Sequence, residues 1–183
     1  MRRRITRAFY IALLALVLFP ASPSHAESSA TDDVHAPRIE GSQIFVQRTR
    51  WAMRWIQKVG WDRYVGQNLA LIMEDPASPF LGAMGLTPDG RPAAVFRSAP
   101  EDLWWYASAI VHEATHARDM AAGRKYWGRE GEHAADLEQQ KFLDALGSTT
   151  RVVRDPATIL DGPAPTVQTL QALVEGRLNV AGK

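Results

Sequence analysis

The stretch of the sequence with the clearest chemistry is His112-Glu113-Ala114-Thr115-His116, which has the pattern H-E-x-x-H. On a helix, His112 and His116 stand one turn apart on the same face, so both imidazoles can reach one metal ion. Zn²⁺ accepts imidazole nitrogen and prefers tetrahedral geometry. Glu113 is rotated by about 100° from His112, so it flanks the ion and does not bind it. This pattern predicts a zinc site, with Glu113 as general base for a metal-activated water.

A catalytic zinc site needs a third protein ligand and leaves its fourth position open to water. The longer pattern H-E-x-x-H-x-x-G-x-x-H is not present, because Asp119 takes the glycine position and Ala122 takes that of the last histidine. Asp119 follows His116 too closely on the same helix to bend back to the ion, and it could be a solvated charge paired with an arginine. The remaining choice is a carboxylate downstream, where Glu132-His133-Ala134-Ala135-Asp136 stands out.

The pattern H-E-x-x-H followed by a second helix that opens E-x-x-x-D resembles the gluzincin group of zinc metallopeptidases, the thermolysin-like set. The resemblance implies that Glu132 is the third zinc ligand and that Asp136 accepts a hydrogen bond from His112. Helical spacing puts Glu132 and Asp136 on one face, which such an arrangement requires. The resemblance covers residues 98–146. Only fifteen residues separate His116 from Glu132, a short connection that implies a stripped-down gluzincin, similar to the minigluzincins.

Several roles stay open at the level of the sequence. Glu130 and Glu138 compete with Glu132 as the third ligand. Tyr126 and His133 are candidates for stabilising the tetrahedral intermediate. The resemblance implies a zinc-dependent peptidase acting on a peptide or protein substrate. The alternatives are a zincin-like binding protein of the cell envelope without turnover, or a surface helix with incidental histidines.

The helices that must position these residues are indicated by caps and periodicity. Ser98 and Glu101 have the layout of a capping box, which predicts a motif helix from Ser98 to about Ala122. This helix is apolar on both sides apart from its histidines, so we expect it to be central and buried. A second helix is predicted from Gly131 to Leu146. Further helices are predicted at 42–59 and 166–174, with a short helical turn at 61–65.

Strands are predicted before the motif, at 69–73, 80–86 and 93–96. A turn at 87–90 makes the last two an antiparallel hairpin. Pro92 lacks an N–H, so we expect the return strand at an edge of the sheet, where an extended peptide could pair. The predicted fold class is α+β: a minimal zincin-like domain whose small mixed sheet, with a hairpin edge, packs on the central helix and on a second ligand-bearing helix.

Four segments are predicted along the chain: a signal peptide at 1–26, a disordered leader at 27–39, a zincin-like domain at 40–147, and a C-terminal extension at 148–183 that packs on the domain or covers its cleft. Residues 1–26 combine a basic start, a twelve-residue apolar run and small residues at a cleavage site. They predict a secreted or periplasmic protein without a stable membrane anchor after signal removal. The alternative is an uncleaved anchor.

Composition narrows the chemistry. The 183 residues carry a formal net charge of +1 and contain no cysteine, which excludes a thiolate nucleophile or ligand. Without residues 1–26, the chain has 17 basic and 20 acidic side chains. This balance shows no basic stripe and argues against nucleic acid as a partner. The six tryptophans could line an aromatic substrate cleft, but core packing is the favoured expectation for a small domain.

Overall fold

The computed structural model describes residues 36–153 and 162–175, and within them it confirms an α+β fold with a mixed sheet packed against helices. The predicted signal peptide lies outside the described residues. None of the described helices has both the length and the apolar character needed to cross a bilayer. The elements are, in chain order, β1 (Arg38–Glu40), α1 (Gln43–Lys58), α2 (Asp62–Asn68), β2 (Leu71–Glu74), β3 (Gly82–Leu86), β4 (Pro92–Phe96), α3 (Leu103–Ala121), α4 (Gly128–Ala145) and α5 (Val167–Val174).

The strands form one sheet in the order β1-β2-β4-β3. Strands β1, β2 and β4 are parallel, and β3 is antiparallel to β4, as the hairpin prediction requires. The expected edge position of the return strand is wrong, because β4 lies between β2 and β3. Pro92 fits there since it is the first residue of β4, where a missing N–H costs least. The hairpin edge of the sheet is therefore β3.

The predicted disordered leader is too long at its C-terminal end. Residues 27–35 lie outside the described residues, but Arg38–Glu40 forms strand β1 and pairs in parallel with β2. The backbone N–H of Ser42 also donates to Glu74 Oε2 at 2.7 Å, which ties the start of α1 to the end of β2. A three-residue strand with one apolar side chain has no alternation to detect, so its structure comes from the partner strand.

One face of the sheet packs against α3, whose residues 106–117 are buried except for the partly exposed Ala109. Helix α1 packs on α3 through Phe45, and Thr49 hydrogen-bonds the Tyr106 hydroxyl at 2.7 Å. Helix α5, predicted at 166–174, packs on the opposite face, where a Cβ on Gly85 would contact Leu170 and Val174. The motif helix is central and buried, as the sequence predicted.

Two helix starts differ from the predicted ones. Helix α3 begins at Leu103, and its N-cap is Asp102. The Asp102 side chain accepts hydrogen bonds from the backbone N–H groups of Trp104 and Trp105. Ser98 is not the cap, because Pro100 disfavours helical backbone in the residue before it. Helix α4 begins at Gly128, one turn before the predicted Gly131.

Candidate metal centre

Three side chains from α3 and α4 converge on one point. His112 Nε2 lies 3.0 Å from His116 Nε2, and Glu132 Oε2 lies 3.3 Å from His112 Nε2. Glu132 Oε1 lies 3.7 Å from His116 Nε2. The two histidines are 5% and 6% exposed, and Glu132 is partly buried. The structure thus brings together the three residues that the sequence singled out, and they form a group that could hold a metal ion.

The spacing of the three donors fits a tetrahedral ion. Ligand bonds of 2.0–2.1 Å in a tetrahedron place neighbouring donor atoms about 3.4 Å apart. The nearest contacts, at 3.0, 3.3 and 3.7 Å, lie around this value, the last two being made by different oxygens of Glu132. With one ligand atom from each residue, the three donors lie within 4.8 Å of one another. Two imidazole nitrogens and one carboxylate also make up the donor set of catalytic zinc sites that keep a fourth position for water. The residues therefore suit a small divalent cation, and zinc is the predicted one.

Asp136 lies one helical turn after Glu132 and faces the same histidine. Its Oδ1 atom is 3.3 Å from His112 Nδ1, the ring nitrogen that does not face Glu132. A carboxylate at one ring nitrogen holds the other in the unprotonated form that a metal needs. This placement agrees with the role that the gluzincin resemblance implies for Asp136.

The surroundings of His112 are strongly negative. Burial alone lowers the pKa of His112, but hydrogen bonds to Asp136 and Glu132 and the charge of Glu113 outweigh it and raise the pKa to about 9. The same negative field favours a divalent cation, which competes with the proton for the imidazole nitrogen. The electrostatics and the donor spacing therefore both favour a divalent cation at this site.

The Glu113 side chain extends from the motif helix towards strand β3 at the edge of the sheet. It is 6% exposed, and a Cβ on Gly82 in β3 would be 3.1 Å from Glu113 Oε1 and 2.8 Å from the Phe96 ring. A side chain at position 82 would clash with the Phe96 ring and crowd the carboxylate, so glycine suits this close passage of β3. Sequence reasoning missed Gly82, although a glycine inside a predicted strand often marks a close approach of backbone or ligand.

The competing carboxylates are engaged elsewhere. Glu138 pairs with Arg118 at 3.5 Å and with Lys141 at 3.1 Å, and Glu130 pairs with Lys125 at 2.9 Å. The one metal-binding group found among the described residues contains neither carboxylate. Glu132 is therefore the carboxylate that the geometry brings to the two histidines.

Asp119 is paired with arginine, as expected, but it is not solvated. It is 3% exposed, and Arg118 and Arg124 donate to its Oδ1 atom at 2.8 and 2.6 Å. Burial alone raises the pKa of Asp119, but these two arginines outweigh it and lower the pKa. The expectation of a surface charge was wrong because Arg124, beyond the end of α3, turns back over the carboxylate.

The two candidates for stabilising the intermediate, Tyr126 and His133, have different surroundings. The Tyr126 hydroxyl donates to the Pro165 carbonyl oxygen at 3.4 Å, which links the loop before α4 to the segment before α5. His133 is exposed on α4. The role proposed for either side chain stays a prediction.

A buried polar pair continues the site along the two helices. Gln139 Nε2 donates to Ser108 Oγ at 2.9 Å, and both residues are buried. Ser108 lies one turn before His112, and Gln139 lies two turns after Glu132. The sequence analysis missed this pair, although both residues continue the helical spacing of the ligand positions.

The comparisons with known proteins add nothing to the resemblance that the motif carries. Comparison of the chain with protein-family models, with curated proteins and with solved structures gives no significant match. The proposals below depend on the geometry of the cluster and on the chemistry of its residues.

Proposed function

We propose that the protein is a zinc-dependent peptidase of minimal gluzincin type. The observation that carries the proposal is the convergence of His112, His116 and Glu132 within 4.8 Å, with the buried Glu113 beside them. Two helices that follow each other in sequence supply the whole donor set. The donors, a flanking base and a nearby sheet edge are the parts that hydrolysis of a peptide bond requires.

Each residue has a distinct task in this mechanism. His112, His116 and Glu132 would hold Zn²⁺, which would supply Lewis-acid activation of water and of the scissile carbonyl. Glu113 accepts the proton of the attacking water on its carboxylate and delivers it to the leaving amine. Its burial keeps this proton transfer away from bulk solvent. Asp136 orients the His112 ring, so the donor set is arranged before the substrate binds.

The substrate we propose is an extended peptide paired with β3. One side of β3 is bonded to β4, and no described strand pairs with its other side. Gly82 brings this edge next to Glu113, so a peptide paired with β3 would pass close to the general base. Main-chain pairing needs no particular side chains, which suits a hydrolase of varied peptides or proteins.

The proposal also places the reaction outside the cytoplasm. It is supported by the signal-peptide pattern of residues 1–26, which predicts cleavage before Glu27. Amino-terminal sequencing of the protein recovered outside the cytoplasm checks this, and a mature chain that still begins at Met1 would contradict it.

Zinc content and peptide cleavage, measured on the same preparation, test the central proposal. The wild-type protein should bind one zinc ion and cleave a mixed peptide library. The Glu113→Gln variant should keep its zinc and lose cleavage by about 10²- to 10⁴-fold, the usual contribution of a general base. The control is Glu130→Gln, which removes an exposed carboxylate paired with Lys125 and should cleave normally. A Glu113→Gln protein as active as the wild type would refute the role of Glu113.

A second candidate is a zincin-like protein that binds peptides without hydrolysing them. The observation that favours it concerns Tyr126, a candidate for stabilising the tetrahedral intermediate. The Tyr126 hydroxyl is hydrogen-bonded to the Pro165 carbonyl oxygen and so is engaged away from a substrate. Zinc-loaded protein that binds library peptides and releases them intact would support this candidate. Release of new peptide termini that depends on Glu113 would exclude it.

A further inference from the structure

Helix α1 carries an unusual concentration of positive charge. Its sixteen residues include Arg48, Arg50, Arg54 and Lys58 and no acidic residue. The chain from residue 27 onward has more acidic than basic side chains, 20 against 17. Helix α1 carries four of these 17 basic side chains and no acidic one, so it is a local concentration of positive charge.

The two sides of α1 have different partners. The inner side packs in the core through Phe45, Thr49, Ala52 and Ile56. Beside it runs a second stripe at helical spacing, formed by Ile44, Arg48, Trp51, Trp55 and Lys58. Ile44 is 63% exposed and Trp51 is 47% exposed, although both are large apolar residues. Helix α1 thus exposes large apolar residues beside its cations.

The outer stripe continues onto α3. The rings of Trp55 and Trp104 meet edge to face with centroids 5.6 Å apart, and Trp104 is 38% exposed. The expectation that all six tryptophans pack in the core is therefore wrong for Trp51 and Trp104. We call the combined surface the aromatic–basic face, and it consists of Ile44, Trp51, Trp55, Trp104, Arg50, Arg54 and Lys58.

Two of the three cations of this face lie over its rings. Arg54 Cζ is 4.6 Å from the centre of the Trp51 ring, and Lys58 Nζ is 4.6 Å from that of Trp55. Among the described residues, the ion pair recorded for α1 joins Arg48 to Glu101 at 3.5 Å. Arg50, Arg54 and Lys58 are exposed, so their charges can meet an external anion.

We propose that the aromatic–basic face docks on the surface of an anionic lipid bilayer. Tryptophan rings favour the boundary between headgroups and acyl chains, since they are apolar with one N–H donor. Cations on the same helix are attracted to anionic headgroups. A soluble polyanion would satisfy the charges alone, whereas a bilayer also buries Ile44 and the exposed Trp51 and Trp104. The helix lies on the membrane and does not cross it.

Docking is independent of the proposed peptidase activity, because α1 contributes no residue to the metal group. It would hold the candidate site near the membrane surface. Peptide cleavage in solution can therefore be lost without loss of docking, and docking without loss of cleavage, so the two proposals fail separately.

A label at a single cysteine gives a local test. The chain has no cysteine, so Ile44→Cys in the full chain can carry one environment-sensitive fluorophore. Vesicles of phosphatidylcholine with phosphatidylglycerol should shift its emission to the blue, and vesicles of phosphatidylcholine alone should not. The same label on Val153→Cys, which is 85% exposed, should not shift with either vesicle. The emission reports on the surroundings of position 44 alone. Attachment of the protein through another segment would therefore not produce the same blue shift.

Charge variants give the second part of the test. Replacing Arg50, Arg54 and Lys58 with glutamine should weaken binding to the anionic vesicles about fivefold per charge, or about a hundredfold together. The matched control replaces the exposed Arg91, Lys141 and Arg151, which removes the same charge elsewhere and should cause a much smaller loss. Thermal unfolding and zinc content should be unchanged in both variants.

Three results would overturn the proposal. The label at position 44 could stay in water on anionic vesicles, or both charge variants could lose binding equally. The emission could also shift without vesicles while sedimentation shows a dimer, which would make a second copy of the chain the occupant of this face.

Discussion

Nδ1 of His112 lies 3.3 Å from Oδ1 of Asp136, and Nε2 of the same ring lies 3.3 Å from Oε2 of Glu132. One imidazole of α3 is thus held between two carboxylates that stand one turn apart on α4. This arrangement fixes the ring and connects the two helices at the candidate metal site. Removing either carboxylate should therefore affect metal binding, but by different amounts.

Replacing Asp136 with asparagine should weaken zinc affinity by about 10- to 100-fold, the usual effect of losing the carboxylate behind a metal-binding histidine. Competition with a chromogenic chelator measures this affinity. The control is His133→Ala, an exposed position on the same helix, which should bind zinc as the wild type does. Equal affinity of the Asp136 variant and the wild type would show that this carboxylate does not act through His112.

Three matched variants identify the third ligand. Glu132→Gln should lose zinc under conditions where Glu130→Gln and Glu138→Gln keep one equivalent, because only Glu132 lies next to both histidines. Elemental analysis after gel filtration measures the bound metal. If zinc is retained by Glu132→Gln and lost by Glu138→Gln, the donor set has been assigned to the wrong carboxylate.

The buried pair Ser108–Gln139 should contribute to stability through its hydrogen bond. Ser108→Ala leaves the Gln139 amide without this partner and should lower the free energy of unfolding by about 1–3 kcal/mol. Adding Gln139→Leu removes the stranded polar group, so the double variant should regain part of the loss. Urea unfolding of the single and double variants measures the coupling, and strictly additive losses would contradict it.

The Asp119 carboxylate should make stability depend on acidic pH. Because the pKa of Asp119 is lowered in the folded protein, its contribution is present above the unfolded pKa of 3.8 and is lost as pH falls through the folded pKa. Asp119→Asn should cost about 1–2 kcal/mol at neutral pH, since Arg118 and Arg124 are partly exposed and solvent screens them. Urea titrations at both ends of this range measure the difference.

The control for this pH dependence is Asp144→Asn, an exposed residue whose Arg151 partner is also exposed. Its effect should be small at every pH. A stability loss for Asp119→Asn that persists unchanged in acid would contradict a charge-based role.

The grouping of the two histidines could be predicted from local geometry, whereas Glu132 was singled out by the resemblance to the gluzincins. A helix of any length puts His112 and His116 on one face, and the same rule aligns Glu132 with Asp136 on the next helix. The short connection between the helices leaves few ways for the second face to meet the first. Burial of the motif helix also followed from its apolar composition on both sides.

The order of the strands could not be predicted in this way. The parallel pairing of β4 with β2 joins two strands between which β3 lies in the sequence. The sequence of neither strand indicates which neighbour it will have. Pro92 suggested an edge, but a first position in a strand tolerates proline equally well. Strand β1 has only three residues, too few for an alternation of polar and apolar side chains to be recognised. Gly82 has no side chain whose type would indicate its neighbours.

The three donors and Asp136 all belong to a single helical hairpin, α3–α4. Binding an ion there closes a loop of about twenty residues, similar in length to the loop that the pairing of β2 with β4 closes. Loss of the ion would therefore remove one link between two neighbouring helices, while the apolar packing of α3 on the sheet would remain.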